Sequence, residues 1–199
     1  MRAAVLLSLA AASFPGLSSA QGAQAGIDAA RRGGVVAVCR HAITDQSRDD
    51  ADVIDYGDVR TQRLLSDEGE RQARALGDAF RQLEIVATDV IASPMDRAWR
   101  TADLMFGRTT IDSLWHTADN NYGGERRDRR RRIVATPITS GVRFIVSHIV
   151  TIASAVPEAE GELQEGDCSI VRPTGTGYEV QGVVPWREWI RAAADARSP

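Results

Sequence analysis

VVAVCRHAITD, residues 35–45, runs five apolar residues straight into an arginine and a histidine before a polar turn. A continuous apolar run, rather than an alternating one, is the pattern of a strand buried on both faces of a largely parallel sheet. Two further runs share it, DVIAS (89–93) and VRFIVS (142–147). Each leads into polar chemistry: Arg40-His41 after the first, Ser93-Pro94 and then Arg97 after the second, His148 after the third.

Helices are expected between the strands. SDEGERQARALGDAFRQL (66–83) opens with Ser66 as N-cap and the acids Asp67 and Glu68 in the first turn. Ala73, Leu76, Phe80 and Leu83 then form one apolar stripe at helical spacing. SPMDRAWRTADLMF (93–106) reads as a helix with Ser93 as cap and Pro94 at the first position. In the tail, CSIVRP and YEVQGVV flank the glycine turn TGTG as an edge hairpin, and PWREWIRAAADAR (185–197) reads as a final helix packed through Trp186 and Trp189. Residues 108–140 read as a loop with part of a helix. The expected fold is α/β: a three-layer α/β/α domain with a mostly parallel central sheet and a C-terminal edge hairpin.

The chain starts MRAAVLLSLAAASFPGLSSAQG: a basic residue, an apolar run too short to span a bilayer, and a small-residue end at Ser18-Ser19-Ala20. Residues 1–20 are therefore expected to be a signal peptide and residues 21–199 a single domain in the periplasm or secreted. The formal net charge of −3 exerts no global pull towards nucleic acid, and no second apolar segment has membrane length. All 24 basic residues are arginine. Cys39 and Cys168 form an even pair for an oxidising compartment, yet Cys39 lies in an apolar run where a free thiol also packs well, so pairing stays open. The acidic stretch DDADVIDYGD (49–58) lacks the fifth-position oxygen ligand and sixth-position glycine of a calcium loop and reads as solvated. The run RRDRRRR (126–132) is a solvated helix face or an anion-attracting rim.

Ligand sites of open α/β sheets lie beyond the carboxyl ends of the strands. Two histidines and two or three arginines gathered at one such edge leave charge beside a core unless an anion compensates it. At this point the chain resembles the histidine phosphatase (phosphoglycerate-mutase-like) superfamily. Arg40-His41 matches its Arg-His hallmark, TQRLLSDEGERQARALG (61–77) its arginine, Leu-(Thr/Ser)-x-x-Gly and helix, IASPMDRAWRTA (91–102) its Ser-x-x-x-Arg-x-x-x-Thr-Ala, and FIVSHIVTI (144–152) its second histidine. The tail EGELQEGDCSIVRPTGTGYEV (160–180) is similar to that of small periplasmic members.

The resemblance implies a metal-independent phosphomonoester hydrolase with no cofactor. His41 would be the nucleophile, forming a phosphohistidine that water hydrolyses. Arg40, Arg97 and Arg63 would bind the phosphoryl oxygens, and His148 would donate to the developing charge. The partner would be a small phosphorylated substrate, an envelope phosphosugar among the candidates, with no nucleic acid and no permanent membrane span. Departures are Ala42 and Ile149 where glycines are usual, and the lack of the family's acidic proton donor; His116, Asp119, Glu125 and Asp45 are candidates for that role. A phosphoglycerate-type mutase and a non-catalytic phosphoryl-binding module remain as alternatives.

Overall fold

The apolar runs become strands β1 (Val35–Arg40), β2 (Ala87–Ala92) and β4 (Val142–Ser147) of one six-stranded sheet. The structure is a computed structural model that describes residues 19–116, 124–159, 161 and 163–197. Most of the expected signal segment, and Asp119, lie outside the described residues. Along the chain the remaining elements are α1 (Ser19–Arg32), α2 (Asp67–Gln82), α3 (Asp96–Phe106), β3 (Thr110–Ile111), α4 (Gly124–Ala135), α5 (Ile149–Ala155), β5 (Cys168–Pro173), β6 (Tyr178–Val184) and α6 (Trp186–Asp195).

The strand order is β3-β2-β4-β1-β5-β6. The first four strands are parallel, and the β5–β6 hairpin adds antiparallel at the edge, as the glycine turn implied. One face carries Ala37, Phe144 and Ile170 against Ile27 of α1, Leu76 and Phe80 of α2 and Trp189 of α6. The other carries Val36, Val38 and Ile145 against Trp115, Val134 of α4 and Ile152 of α5. Helices on both faces complete three layers. Among the described residues no helix is long and apolar enough to cross a membrane.

Local rules held in α2: Ser66 Oγ accepts from the Gly69 amide at 3.0 Å, and the Ala73, Leu76, Phe80 and Leu83 stripe is buried. They failed in α3, which starts at Asp96 rather than at Pro94. Ser93 Oγ is shared between His148 and the Met95 amide, which donates to it at 3.3 Å, and the Gln62 side chain accepts from the Asp96 amide at 2.7 Å. The stretch read as mostly loop holds both β3 and α4.

One feature was unread and another left open. Helix α1 begins before the expected cleavage point after Ala20 and packs on the hairpin so closely that a Cβ on Gly182 would lie 1.9 Å from the Gly22 carbonyl oxygen. Cys39 and Cys168, left open above, are register partners on β1 and β5 with Cα atoms 4.0 Å apart, and they form a disulfide.

Candidate active site

The parallel strand order brings the polar ends of β1, β2 and β4 together. His41 follows β1, Ser93 follows β2, and His148 follows β4. His41 is 3% exposed, and its main-chain amide donates to the Ser147 carbonyl at 3.0 Å. Its Nδ1 lies 2.9 Å from the Ala42 carbonyl. A carbonyl only accepts, so Nδ1 carries the proton and Nε2 carries the lone pair. Burial first, then the Arg97 charge, with Arg40 and Arg63 adding to it, pushes the His41 pKa down to about 3, against a raising contribution from the Ala42 hydrogen bond. The ring is therefore neutral near pH 7.

The His148 ring lies 5.4 Å from that of His41, centroid to centroid. Its Nε2 shares a 2.9 Å hydrogen bond with Ser93 Oγ. Burial, followed by the neighbouring His41 and Arg97, holds its pKa well below the usual histidine range. His116 stands next in the row, its ring 5.8 Å from that of His148. It is buried, and its Nδ1 is hydrogen-bonded to the Tyr56 hydroxyl.

Arg97 is 7% exposed, and both its Nη atoms bond the Asp50 carboxylate, at 2.8 and 3.0 Å. Asp50 also accepts from the Arg63 amide at 2.8 Å. Its carboxyl stays below the usual range: burial opposes this, and the Arg97 and Arg63 hydrogen bonds outweigh burial. Arg40 donates through Nη1 to the Leu163 carbonyl at 3.1 Å. Burial lowers the Arg40 pKa, with Glu165 opposing and Arg63 and Arg97 adding to the effect. The Nε–H groups of Arg40, Arg63 and Arg97 are all buried, with no hydrogen-bond partner among the described residues. Three guanidinium groups with a donor to spare near one neutral histidine make a site that can take an anion.

Four of the five residues assigned from the strand ends, Arg40, His41, Arg97 and His148, thus come together. Arg63 joins them: its charge acts on both Arg40 and His41, and it makes no ion pair among the described residues. Of the three proton-donor candidates among the described residues, His116 alone is placed in the cluster; Asp119 lies outside them. Asp45 is part-exposed and caps its own turn by accepting from Ser47, which lowers its pKa and disfavours proton donation. Glu125 is exposed at the start of α4.

The structure also recruits residues that were not assigned. The acidic stretch is not merely solvated, since it supplies Asp50 and Tyr56. Glu165 reaches within 3.7 Å of Arg40. The arginine run is largely structural. Arg130 is fully buried and donates to the Leu114 carbonyl at 2.7 Å, holding the turn that carries His116, while Arg126 and Arg131 bond other main-chain carbonyls. Two cavities, of about 550 and 500 Å³, lie between β2, β3 and α4 and beside the β5–β6 turn. Neither is lined by a histidine, so convergence of side chains, not cavity size, marks the site.

Residues 36–118 match the family model of the histidine phosphatase superfamily (branch 1). No curated protein matches the chain in sequence. Among solved structures, the protein histidine phosphatase SixA complexed with tungstate is 12% identical, covers 77% of this chain and 97% of its own, and has a TM-score of 0.59. A phosphoserine phosphatase mutant from Entamoeba histolytica in complex with phosphoserine is 12% identical over 77% of this chain and 98% of its own, TM-score 0.52. YhfR from Bacillus stearothermophilus is 16% identical over 73% and 94%, TM-score 0.53. At such identities the likeness speaks for architecture, and the chain has the α/β/α fold of these proteins, with Arg40, His41, Arg63 and Arg97 inside the segment that matches the superfamily.

Proposed function

We propose that the chain is a member of the histidine phosphatase superfamily that hydrolyses small phosphomonoesters through a phosphohistidine. One observation carries this reading: a neutral His41, tied at Nδ1 to the Ala42 carbonyl, stands among three arginines whose buried Nε–H groups have no partner among the described residues. A phosphoryl group supplies the oxygens those donors lack. The His41 Nε2 lone pair attacks phosphorus as the ester P–O bond breaks. Water then attacks phosphorus, the P–N bond breaks, and its electron pair returns to Nε2. The approaching dianion favours a protonated His148, which donates to the phosphoryl oxygens as charge develops. Arginine supplies the positive charge here, so activity is expected to be metal-independent.

His116 is the proposed proton donor to the leaving group, with Tyr56 on its far nitrogen. Export is part of the same reading. It is supported by the residue pattern of 1–20 and by the Cys39–Cys168 disulfide, a bond that persists in oxidising compartments.

The test is a panel of phosphomonoesters with and without chelator, followed by trapping with a ³²P-labelled substrate. Wild type should carry acid-labile, base-stable label. His148→Ala should label about 10²–10³ more slowly, and His41→Ala not at all. Equal labelling of His41→Ala and wild type would refute the nucleophile.

A further inference from the structure

Glu165 lies in the turn before β5, at the rear of the nucleophile. Its Oε1 is 4.0 Å from His41 Nδ1 and 3.7 Å from Arg40 Nη2. The carboxylate is held by Thr44, whose Oγ1 donates to Oε1 at 2.7 Å and whose amide donates to Oε2 at 3.4 Å. The main chain around it is stitched to the end of β1. The Gly166 amide donates to the His41 carbonyl and the Arg40 amide to the Asp167 carbonyl, each at 2.9 Å, while Gln72 Nε2 donates to the Glu165 carbonyl at 2.9 Å. Gly166 is needed for this: its φ is +93°, and a Cβ there would lie 2.4 Å from the Gln72 amide nitrogen.

The phosphohistidine reading makes that placement chemically specific. Attack by Nε2 leaves a ring bonded to phosphorus at one nitrogen and protonated at the other, so the imidazole becomes cationic. This happens in a buried site where Arg40, Arg63 and Arg97 already oppose positive charge on the ring. The phosphoryl oxygens offset it from the front. From the Nδ1 side the near carboxylate is Glu165.

We infer that Glu165 is the counter-charge of the phosphohistidine, a positioning residue that stabilises the cationic phospho-imidazole through Nδ1 and thereby speeds phosphorylation of His41. The inference rests on the proposed function and goes beyond it. Discharge restores a neutral ring, so it does not need the carboxylate. Loss of the charge should therefore slow the first step and leave the second unchanged or faster.

The experiment is rapid-quench kinetics of the full chain with ³²P-labelled p-nitrophenyl phosphate, whose phenolate leaves without needing a proton. Glu165→Gln keeps the size and the acceptor for Thr44 and removes the charge. One unit charge 4 Å away, at an effective dielectric between those of a protein surface and water, predicts a burst slower by about 10- to 100-fold. The substrate Kd, read from the concentration dependence of the burst rate, should change by less than about 3-fold, since ground-state binding is not what the charge serves. Glu165→Asp should recover part of the burst rate. If Glu165→Gln does not fold, Thr44→Val replaces it; loss of the orienting hydrogen bond should slow the burst by about 3- to 10-fold with discharge unchanged. A burst rate equal to wild type, or phosphorylation and discharge slowed by the same factor, overturns the inference. Absence of label in wild type overturns the phosphohistidine reading, and the inference with it; a labelled wild type with an unaffected Gln variant overturns the inference alone.

Discussion

The Cys39–Cys168 bridge should dominate the stability of this domain. It joins neighbouring antiparallel strands across a sequence separation of 129 residues. In the chain-entropy description, closing a loop of that length stabilises the folded state by about 5 kcal/mol. For a domain of this size each kcal/mol moves the thermal midpoint by about 2–4 °C, so losing the bridge should lower it by about 10–20 °C. Both cysteines are 1% exposed, so reductant added to the folded protein should reach them only through unfolding. The assay is therefore thermal denaturation of Cys39→Ala/Cys168→Ala beside wild type, with thiol titration of native and denatured protein. Native wild type should show no reactive thiol. The double variant should also bind substrate less well, because residues 166 and 167 are hydrogen-bonded to the two residues that follow Cys39. A midpoint within about 2 °C of wild type would refute the reasoning, since no plausible compensation hides several kcal/mol.

Three further outcomes are expected. Asp50→Asn should lower kcat/KM for a phosphomonoester by about 10- to 100-fold, because the charge-assisted clamp that aims Arg97 is lost; a rise instead would mean that Asp50 competes with substrate. Gly69→Ala should destabilise the fold by on the order of 3 kcal/mol or prevent folding, since a Cβ there would sit 1.8 Å from the Ile43 carbonyl oxygen; a shift below about 1 kcal/mol in urea denaturation argues against that close approach. Stability should also fall as pH falls from about 6.5 towards 3. The His41 pKa is depressed to about 3 and His148 is depressed in the same direction, so the unfolded chain binds more protons across that window, and each histidine contributes about 1.4 kcal/mol per pH unit. Asp96 and Asp167, raised by burial, act in the opposite sense above their unfolded value. His41→Asn should flatten the slope measured between pH 6.5 and 4.5, and an unchanged slope would count against the buried neutral ring.

The parts of the fold that were legible are those in which burial and local pattern agree. Continuous apolar runs marked β1, β2 and β4 because both faces of each are covered, and Ser66 marked α2 because its cap is local. Helix α1 was not legible. Its buried face is mostly alanine, and it packs only because Gly26 and Gly182 let two backbones approach. Strand β3 is two residues long and is defined by its partner β2 rather than by its own sequence. Helix α4 has almost no apolar stripe; its arginines fasten it through main-chain carbonyls, an arrangement no hydrophobic period reveals.

The site divides in the same way, and charge explains the division. Arg40, His41, Arg97 and His148 follow strands whose parallel order brings their ends together, so position along the chain was enough to expect them at one edge. Asp50 and Glu165 arrive on loops, Glu165 from 121 residues beyond the Thr44 that holds it, and no local pattern marks either. Yet the two carboxylates decide what the arginines can bind. Arg40, Arg63 and Arg97 against Asp50 and Glu165 leave one positive charge in surplus while the histidines are neutral. In the proposed reaction a phosphate ester dianion that draws a proton onto His148 brings the site to neutrality. Transfer of its phosphoryl group to His41 makes the ring cationic as the leaving group carries its negative charge away, so each further positive charge has to be held by the loop carboxylates. On the proposed reading, Arg40 and His41 end an apolar run because a buried, nearly balanced set of charges is completed by a phosphorylated ligand, and the two loop carboxylates set that balance.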